Sequence, residues 1–298
     1  MNFSGLSAFP LTVFSDQAVD LKATQQLVRR LADAKVDSIG VLGSTGSYAY
    51  LTLAERKAIA AVSISEAGST PVIVGVGALR TKDAVELAVD AQRAGASGLL
   101  LAPVSYQPLN DTEVLSLYRA VTDAVALPLC VYDNPGTTHF RFTDELLGEI
   151  ANLPNVASIK IPPLSGELSA SSDRIKKLRN CIPSNVTLGI SGDHSAALGL
   201  AAGCDAWYSV IGGLFPITAL KIVRLSQSGQ FDQAKAEADR LAPLWALFAK
   251  HGASIRVIAS AAGLLGLCGQ DCLPLPLSTL KGADLDELAQ VLQDLALS

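Results

Sequence analysis

Short apolar runs alternate with amphipathic segments along most of the chain. Each run is rich in apolar, often β-branched residues and is bounded by Gly, Pro, Asn or Asp. This pattern is typical of strands that are buried on both faces. Seven clear runs and a weaker one at 5–13 predict eight strands. The clear runs cover residues 38–43, 71–77, 98–103, 128–132, 156–161, 186–190 and 205–210.

Apolar positions spaced three and four residues apart predict helices between these strands. Thr52 followed by Glu55 forms a capping-box start for one of them. The strands recur about every thirty residues, which is the length of a βα unit. The predicted helices cover residues 21–34, 53–67, 81–94, 111–124, 143–153, 168–180 and 195–202.

Eight strands alternating with helices predict a (β/α)8 TIM barrel of the α/β class. A doubly wound open sheet is the alternative, but it usually has a G-x-G-x-x-G turn after its first strand, and this chain has none. Beyond residue 217 the strand pattern ends, and we predict a catalytic barrel over 1–217 and a C-terminal helical region over 218–298 packed on it. The helical patterns there cover residues 217–228, 231–250, 254–267 and 284–297.

The composition narrows the class of protein. Of the 298 residues, 49% are hydrophobic and 17% are charged, a balance that excludes a disordered chain. The net charge of −5 argues against binding to nucleic acid, which requires a concentrated positive field. The most apolar region, 196–223, is interrupted by Asp205, Pro216 and Lys221, so we expect no membrane span.

The cysteines give no sign of a disulfide framework or a metal site. There are five of them, an odd number, and they are scattered. Cys268 and Cys272 are four residues apart, but no His or second Cys pair lies near them to complete a zinc site. The N-terminal segment lacks the basic residues of a signal peptide. We therefore expect a reduced, cytoplasmic enzyme without a metal.

Lys160 is the strongest candidate for chemistry. The active site of a TIM barrel lies at the C-terminal ends of the strands, and Lys160 is the only Lys or Arg inside the eight predicted strands. Burial favours the neutral form of an amine, and a neutral amine can attack a carbonyl carbon to form a Schiff base. The alternative is a structural lysine that reaches the rim or pairs with a carboxylate.

Other polar residues stand at neighbouring strand ends. Tyr132 ends the strand before Lys160 and is either a proton shuttle or a hydrogen-bonded rim or core tyrosine. Gly43-Ser44-Thr45-Gly46 is either a loop whose N–H and hydroxyl groups hold a carboxylate or an ordinary turn. The chain has no serine-hydrolase elbow and no P-loop. The other candidates at strand ends are Tyr106, Asp133, Asn134, Ser191, Asp193, His194 and Ser209.

Three motifs occur together in this chain: Gly43-Ser44-Thr45-Gly46, residues 132–138 (YDNPGTT) and Ser158-Ile159-Lys160. In combination they resemble the dihydrodipicolinate synthase / N-acetylneuraminate lyase superfamily of class I aldolases. The resemblance covers essentially the whole chain, and Ser191-Gly192-Asp193 also looks like the family's motif after the seventh strand. It implies a Schiff-base mechanism on pyruvate or another 2-keto acid, with no metal or organic cofactor.

The resemblance also implies a role for each candidate residue. Lys160 would form the Schiff base with the ketone, and Tyr132 would shuttle protons. Ser44 and Thr45 would bind the carboxylate of the 2-keto acid, with Thr45 or Ser44 also in the proton relay to Tyr132. Tyr106 matches the family tyrosine that reaches across a tight dimer interface into the neighbouring site. The family implies a homo-oligomer, either a dimer or a tetramer.

Three positions depart from the family pattern. The usual Glu of the glycine loop is Ser47, and Asp133 stands where the family usually has Asn. The Arg that binds the aldehyde's carboxylate in dihydrodipicolinate synthases is Thr137 here, and a hydroxyl does not replace bidentate recognition by a guanidinium. We therefore expect a substrate bound through hydroxyls at Thr137, Thr138 and Ser209, such as a 2-keto-3-deoxy sugar acid.

The sequence therefore predicts a Schiff-base-forming lyase, either an aldolase or a dehydratase. One alternative is 4-hydroxy-tetrahydrodipicolinate synthase, which uses the same chemistry on pyruvate and aspartate semialdehyde. Another is a non-catalytic barrel that binds a 2-keto acid. The presence of Lys160, Tyr132 and Thr45 argues against that second alternative.

Overall fold

A computed structural model of the chain describes residues 3–297. Met1, Asn2 and Ser298, the outermost residues of the two predicted domains, lie outside the described residues. Eight parallel strands close into a barrel, each paired with its neighbours along the chain and the last paired with the first. The strands are β1 Gly5–Ala8, β2 Ser38–Val41, β3 Val72–Gly75, β4 Gly98–Leu101, β5 Leu129–Tyr132, β6 Val156–Ile161, β7 Thr187–Ile190 and β8 Ala206–Ser209. The predicted barrel is confirmed.

Helices follow the strands as the periodicity predicts. Thr52 Oγ1 accepts a hydrogen bond from the backbone N–H of Glu55, and the Glu55 carboxylate accepts one from the N–H of Thr52, so the predicted capping box is present. The helices are α1 Leu21–Asp33, α2 Leu53–Glu66, α3 Thr81–Ala94, α4 Asp111–Ala124, α5 Pro135–Thr138, α6 Asp144–Ala151, α7 Leu168–Arg179, α8 Ala196–Ala201, α9 Pro216–Gln227, α10 Phe231–Arg240, α11 Ala242–Lys250, α12 Ser254–Leu264 and α13 Ala283–Asp294.

The N-terminal segment differs from its predicted form. The run at 5–13 was expected to be one strand, but only Gly5–Ala8 pairs in the barrel. A small antiparallel hairpin then joins Phe14–Ser15 to Ala18–Val19. Its turn residues Asp16 and Gln17 have positive φ values of 49° and 64°, as a two-residue hairpin turn requires at both positions.

The C-terminal helices pack on the barrel and reach its C-terminal end. α9 packs against α10, α8 and β1, while α11 contacts the short helix Asp193–Ser195 that follows β7. The predicted helix over 231–250 is broken at Leu241, because Pro243 cannot donate a backbone hydrogen bond to the preceding turn. The domain boundary at residue 217, one residue after α9 begins, stays a prediction.

The barrel has a separate core inside its ring of strands. Strand residues on the outside join the large cluster shared with the helices. The inner cluster comprises Phe3, Phe9, Ile73, Leu100, Ala102, Cys130, Tyr132, Ala206 and Tyr208. Three of its aromatic members, Phe9, Tyr132 and Tyr208, also line the candidate active site. Over residues 3–297, none of the helices combines the length and the apolar surface needed to cross a membrane.

Candidate active site

A cavity of about 670 Å³ lies at the C-terminal ends of the barrel strands. Its volume falls within the range of roughly 300–1,000 Å³ that is common for small-molecule sites. The barrel contributes one wall, and the loop before α12 together with the first turn of α12 contributes the other. Of the residues predicted for the site, the cavity is lined by Ser44, Thr45, Tyr132, Thr137 and Lys160.

Lys160 lies inside the barrel with its amine among aromatic rings. It is on β6, directly opposite Tyr132 on β5, and only 5% of its surface is exposed. Its Nζ is 4.2 Å from the ring centroids of both Phe9 and Tyr132, and 5.5 Å from that of Tyr208. Within residues 3–297, no carboxylate is close enough to form an ion pair with it. The geometry is thus neither that of a rim lysine nor that of a paired one.

Two glycines make room for the aromatic rings around this amine. A Cβ atom at Gly40 of β2 would lie 2.4 Å from the Phe9 ring, and one at Gly189 of β7 would lie 2.2 Å from the Tyr208 ring. Both distances are far below van der Waals contact, so any larger residue would displace a ring. The sequence of the neighbouring strands thereby fixes the surroundings of Lys160.

The Tyr132 phenol forms a small hydrogen-bonded group with two cavity residues. Asn134 Nδ2 donates to the phenol oxygen at 2.9 Å and to Thr137 Oγ1 at 2.6 Å. The Ser44 hydroxyl is 3.5 Å from the same phenol oxygen. Because the phenol accepts from Asn134, its own hydrogen is directed elsewhere, toward Ser44 or a ligand.

The loop that carries Ser44 and Thr45 has an unusual backbone. Leu42, the first residue after β2, and Ser47 both have positive φ values, 57° and 54°. A bulky residue in this region costs about 1–3 kcal/mol and persists only where its surroundings require it. The loop places the half-buried Ser44 and the buried Thr45 on the cavity wall. Of these two hydroxyls, the structure places that of Ser44 next to the Tyr132 phenol.

Three residues predicted for the site, Thr138, Ser209 and Tyr106, lie away from the cavity. Thr138 is buried, and its Oγ1 donates to the backbone carbonyl oxygen of Asn134 at 3.0 Å. Ser209 is fully buried, and its Oγ accepts a hydrogen bond from the backbone N–H of Gly212 at 2.8 Å. Side chains alternate along a strand, and since Tyr208 faces the barrel interior, Ser209 faces outward. Tyr106, in the loop after β4, is 89% exposed and does not line the cavity of its own chain.

Asp193 anchors the chain that follows β8. Its carboxylate accepts hydrogen bonds from Trp207 Nε1 at 3.0 Å and from the backbone N–H groups of Val210 and Ile211 at 3.1 and 2.8 Å. Burial raises the pKa of Asp193, while these hydrogen bonds act in the opposite direction. His194 beside it lines the cavity. Within residues 3–297, three or more potential metal ligands of the His, Cys, Asp or Glu type nowhere cluster together.

Asp133 lies directly behind the site, and burial of its charged carboxylate costs free energy. Its backbone N–H donates to the carbonyl oxygen of Lys160 at 3.0 Å. Its side-chain Oδ1 is buried without a hydrogen-bond partner among the described residues. Burial raises the pKa of Asp133 to about 6, although Arg174 and Arg141 oppose the shift.

Sequence reasoning did not identify all the residues that shape this cavity. Phe9 and Tyr208 enclose the amine and were not among the candidates. Asn134 was a candidate at a strand end, but its role in holding the phenol was not predicted. The Y-x-N spacing of Tyr132 and Asn134 was the available signal for the latter. Arg256, from the first turn of α12, also lines the cavity, and no local sequence signal points to it.

Comparison with known proteins identifies the family. The sequence model described as the dihydrodipicolinate synthetase family matches residues 2–295. The chain belongs to this family. Its members are lyases of the class I aldolase type, so the protein is an enzyme of that type, and the resemblance seen in the motifs is confirmed.

Individual relatives match over almost their full length. A 4-hydroxy-tetrahydrodipicolinate synthase of Phenylobacterium zucineum is 31% identical over 298 residues, covering 99% of this chain and 98% of the relative. One of the same name from Persephonella marina is 28% identical, with 99% of each chain covered. The crystal structure of a dihydrodipicolinate synthase from Agrobacterium tumefaciens is 43% identical, with 98% of each chain covered and a TM-score of 0.94.

Proposed function

We propose that this lyase forms a Schiff base between Lys160 and the ketone of pyruvate or a related 2-keto acid. The placement of the amine carries the proposal: Nζ is buried among the rings of Phe9, Tyr132 and Tyr208, without an acidic partner in the described chain. A desolvated amine beside a proton-transferring phenol is suited to nucleophilic attack on a carbonyl.

The reaction would proceed in balanced steps. The amine nitrogen of Lys160 forms a C–N bond to C2 of the keto acid and loses a proton, and the ketone oxygen takes up a proton through Tyr132. A second proton delivered through Tyr132 allows this oxygen to leave as water, and the carbinolamine becomes an iminium. Removal of a proton from C3 then gives an enamine, which can attack an aldehyde carbon. In the reverse direction, the enzyme cleaves that C–C bond and acts as an aldolase. If the enamine instead expels a hydroxyl group from the carbon next to C3, the enzyme acts as a dehydratase.

The neighbouring hydroxyls would orient the keto acid and relay protons. Thr45 and Ser44 would hold the carboxylate at the loop after β2, as donors in a largely buried wall. The 3.5 Å separation between Ser44 Oγ and the Tyr132 phenol supports Ser44 as the relay to solvent. Asn134 would keep the phenol in position from the other side.

The rest of the substrate is proposed from the cavity wall. Thr137 replaces the guanidinium that the family uses for an aldehyde's carboxylate, and its hydroxyl lines the cavity. This supports a hydroxyl-bearing chain, such as a 2-keto-3-deoxy sugar acid. The second candidate is 4-hydroxy-tetrahydrodipicolinate synthase, which is favoured by the names of the relatives at 28% and 31% identity.

We also propose a cytoplasmic homodimer or homotetramer. Tyr106 supports it, because a large aromatic side chain that is 89% exposed is suited to burial in a subunit interface. In that arrangement Tyr106 would enter the site of the neighbouring subunit and extend the relay from Ser44.

Borohydride trapping tests the mechanism. Reduction in the presence of pyruvate should add the mass of the reduced ligand to the peptide that contains Lys160. Absence of any adduct with a panel of 2-keto acids, or an adduct on another lysine, would overturn the proposal. Deuterium exchange at the methyl group of pyruvate separates catalysis from mere binding, because a non-catalytic barrel would bind the acid without exchange.

A further inference from the structure

We infer that the cavity contains a second anion-binding position at Arg256, and that the natural substrate carries a terminal carboxylate in addition to its 2-keto-acid group. This inference rests on the proposed function, since it extends the ligand that would bind at Lys160. It assigns the recognition of the distal end to the helical wall of the cavity rather than to the barrel.

The charges that line the cavity favour a ligand with two negative groups. Among residues 3–297, the Lys, Arg, Asp and Glu side chains that line it are Lys160, Arg256 and Asp193, and His194 lines it as well. Both oxygens of Asp193 already accept hydrogen bonds from donors of the protein, and its burial disfavours the charged form. A 2-keto acid held at Lys160 and Thr45 places one carboxylate in the cavity and leaves Arg256 without a counter-charge.

The guanidinium of Arg256 has no partner of its own in the part of the chain that the structure describes. Among residues 3–297, its side chain forms neither a hydrogen bond nor an ion pair, although it is partly buried. Some other arginines also have no partner in the described chain, namely Arg93, Arg119 and Arg141, but these are exposed to solvent, whereas Arg80 pairs with Asp83 and Arg174 with Asp144. A guanidinium withdrawn from water without an acid costs free energy unless a ligand supplies the acceptor.

The cavity lining also offers hydroxyl donors, while the carboxylate of Asp193 is already occupied by donors of the protein. Ser47 is 2% exposed, lines the same cavity, and its buried Oγ has no hydrogen-bond partner in the described chain. Ser254, in the same helical turn as Arg256, adds a second hydroxyl to the lining. The first turn of α12 contains no acidic residue. A single guanidinium matches a single carboxylate in both charge and bidentate geometry.

Thr137 on the barrel wall cannot supply a positive charge for a second carboxylate, so this charge must come from the helical wall. Thr137 offers only a hydroxyl, which already accepts from Asn134 Nδ2. Among the charged groups that line the cavity, Arg256 is the remaining cation once Lys160 is committed to the ketone. The substrate class is therefore a 2-keto acid with a second carboxylate at its far end, with hydroxyls between them bound at Thr137.

A matched pair of 2-keto acids tests the inference directly. 2-Oxoglutarate and 2-oxopentanoate have the same number of carbons, but only the first has a terminal carboxylate. Borohydride trapping on Lys160 at increasing concentrations gives the half-saturating concentration for each. We expect the unmodified protein to prefer 2-oxoglutarate by roughly tenfold or more, the range for a charge-assisted hydrogen-bonded pair.

The substitution Arg256→Gln should reduce that preference ratio to near one, and Arg256→Lys should retain part of it, because Lys keeps the charge and loses the bidentate geometry. Arg93→Gln removes an equal charge from an exposed position on α3 and should leave the ratio unchanged. A ratio near one in the unmodified protein, or a preserved ratio in a folded Arg256→Gln variant, overturns the inference.

The two proposals fail in distinguishable ways. If pyruvate gives no adduct on Lys160, the Schiff-base mechanism itself is wrong. If pyruvate is trapped but the unmodified protein does not distinguish the two five-carbon acids, only the assignment of Arg256 is wrong. The comparison on unmodified protein decides the matter even if Arg256→Gln does not fold.

Discussion

The barrel wall and the helical wall of the cavity hold their polar groups in different ways. On the barrel wall, Lys160 and Tyr132 lie opposite each other on adjacent strands, and Asn134 holds the phenol by a hydrogen bond. On the helical wall, Arg256 reaches the same cavity without any partner in the described chain. Reacting groups on rigid strands keep a fixed geometry, whereas an unpaired cation on a helix is free to meet a ligand.

This difference assigns the chemical reaction to the barrel wall and the recognition of the ligand to the helical wall. The inner aromatic cluster and the strained loop at Leu42 fix the surroundings of Lys160 and the position of Ser44 and Thr45, where we propose that the keto acid reacts. The helical wall can change its charge without disturbing the strands, as expected when function resides in sites attached to a common fold. Changes on the barrel wall should therefore affect rate most, and changes on the helical wall should affect the choice of ligand.

Replacing Lys160 should have the largest effect. Lys160→Met removes the nucleophile and fills similar space, so pyruvate methyl exchange should fall by roughly 10⁴-fold or more, as for other covalent nucleophiles. The fold should persist, because a buried amine without an acidic partner is replaced by an apolar chain. Lys82→Met, on the exposed surface of α3, is the matched control. Exchange that survives in Lys160→Met would place the chemistry elsewhere.

Removing the phenol hydroxyl should have the next largest effect on rate. Tyr132→Phe keeps the ring over the Lys160 amine but removes the proton-transferring group, so exchange should slow by roughly 10²- to 10⁴-fold. Tyr118→Phe is the control, because its hydroxyl donates to the carbonyl oxygen of Leu101 at 2.7 Å, outside the cavity. That control should lose about 1 kcal/mol of unfolding free energy and keep its rate. Equal slowing of both variants would contradict a role for Tyr132 in proton transfer.

Asp133 tests whether a carboxylate buried behind the barrel wall lowers the unfolding free energy. Its pKa in the folded protein, about 6, lies above the ordinary 3.8, so the fold disfavours the charged form. The unfolding free energy should therefore fall as the pH rises from about 4 to 6. Asp133→Asn should be more stable than the parent by about 2 kcal/mol at pH 8, after allowing for partial exposure.

Urea unfolding at two pH values measures this effect. The advantage of Asp133→Asn should shrink toward pH 4, where the carboxyl of the parent is protonated in the folded state. Asp173→Asn, on the exposed face of α7, should show no comparable gain at either pH. A gain for Asp133→Asn that does not depend on pH would show that charge burial is not its cause.

The periodicity of the sequence predicted the barrel because its strands and helices are individually regular. All eight strands and the seven predicted helices between them were found near their predicted positions, whereas the single-turn helix α5 was not predicted. The hairpin at Phe14–Val19 was missed because strands of two residues leave no readable alternation. The break at Leu241 was missed although Pro243 marks it, since apolar periodicity continues across it.

The site was predictable only where its residues depend on strand position. Lys160 and Tyr132 are brought together by strand register, which the order of the strands implies. Arg256 was not predictable, because its place depends on how the C-terminal helices pack over the barrel. Ser209 was predicted wrongly for a different reason. Its position at a strand end suggested that it lines the cavity, but side chains alternate along a strand and that of Ser209 faces outward.

The smallest effect concerns Asn134, which acts through Tyr132 and is therefore a positioning residue. Asn134→Ala removes the hydrogen bond to the phenol and should lower kcat by about three- to tenfold, with less change in KM. Asn134→Asp keeps the size but cannot donate when ionised. If donation by Asn134 directs the phenol hydrogen toward the ligand, Asn134→Asp should be as slow as Asn134→Ala. A parent-like Asn134→Asp would mean that Tyr132 donates to residue 134, and the proton relay would then run in the opposite sense.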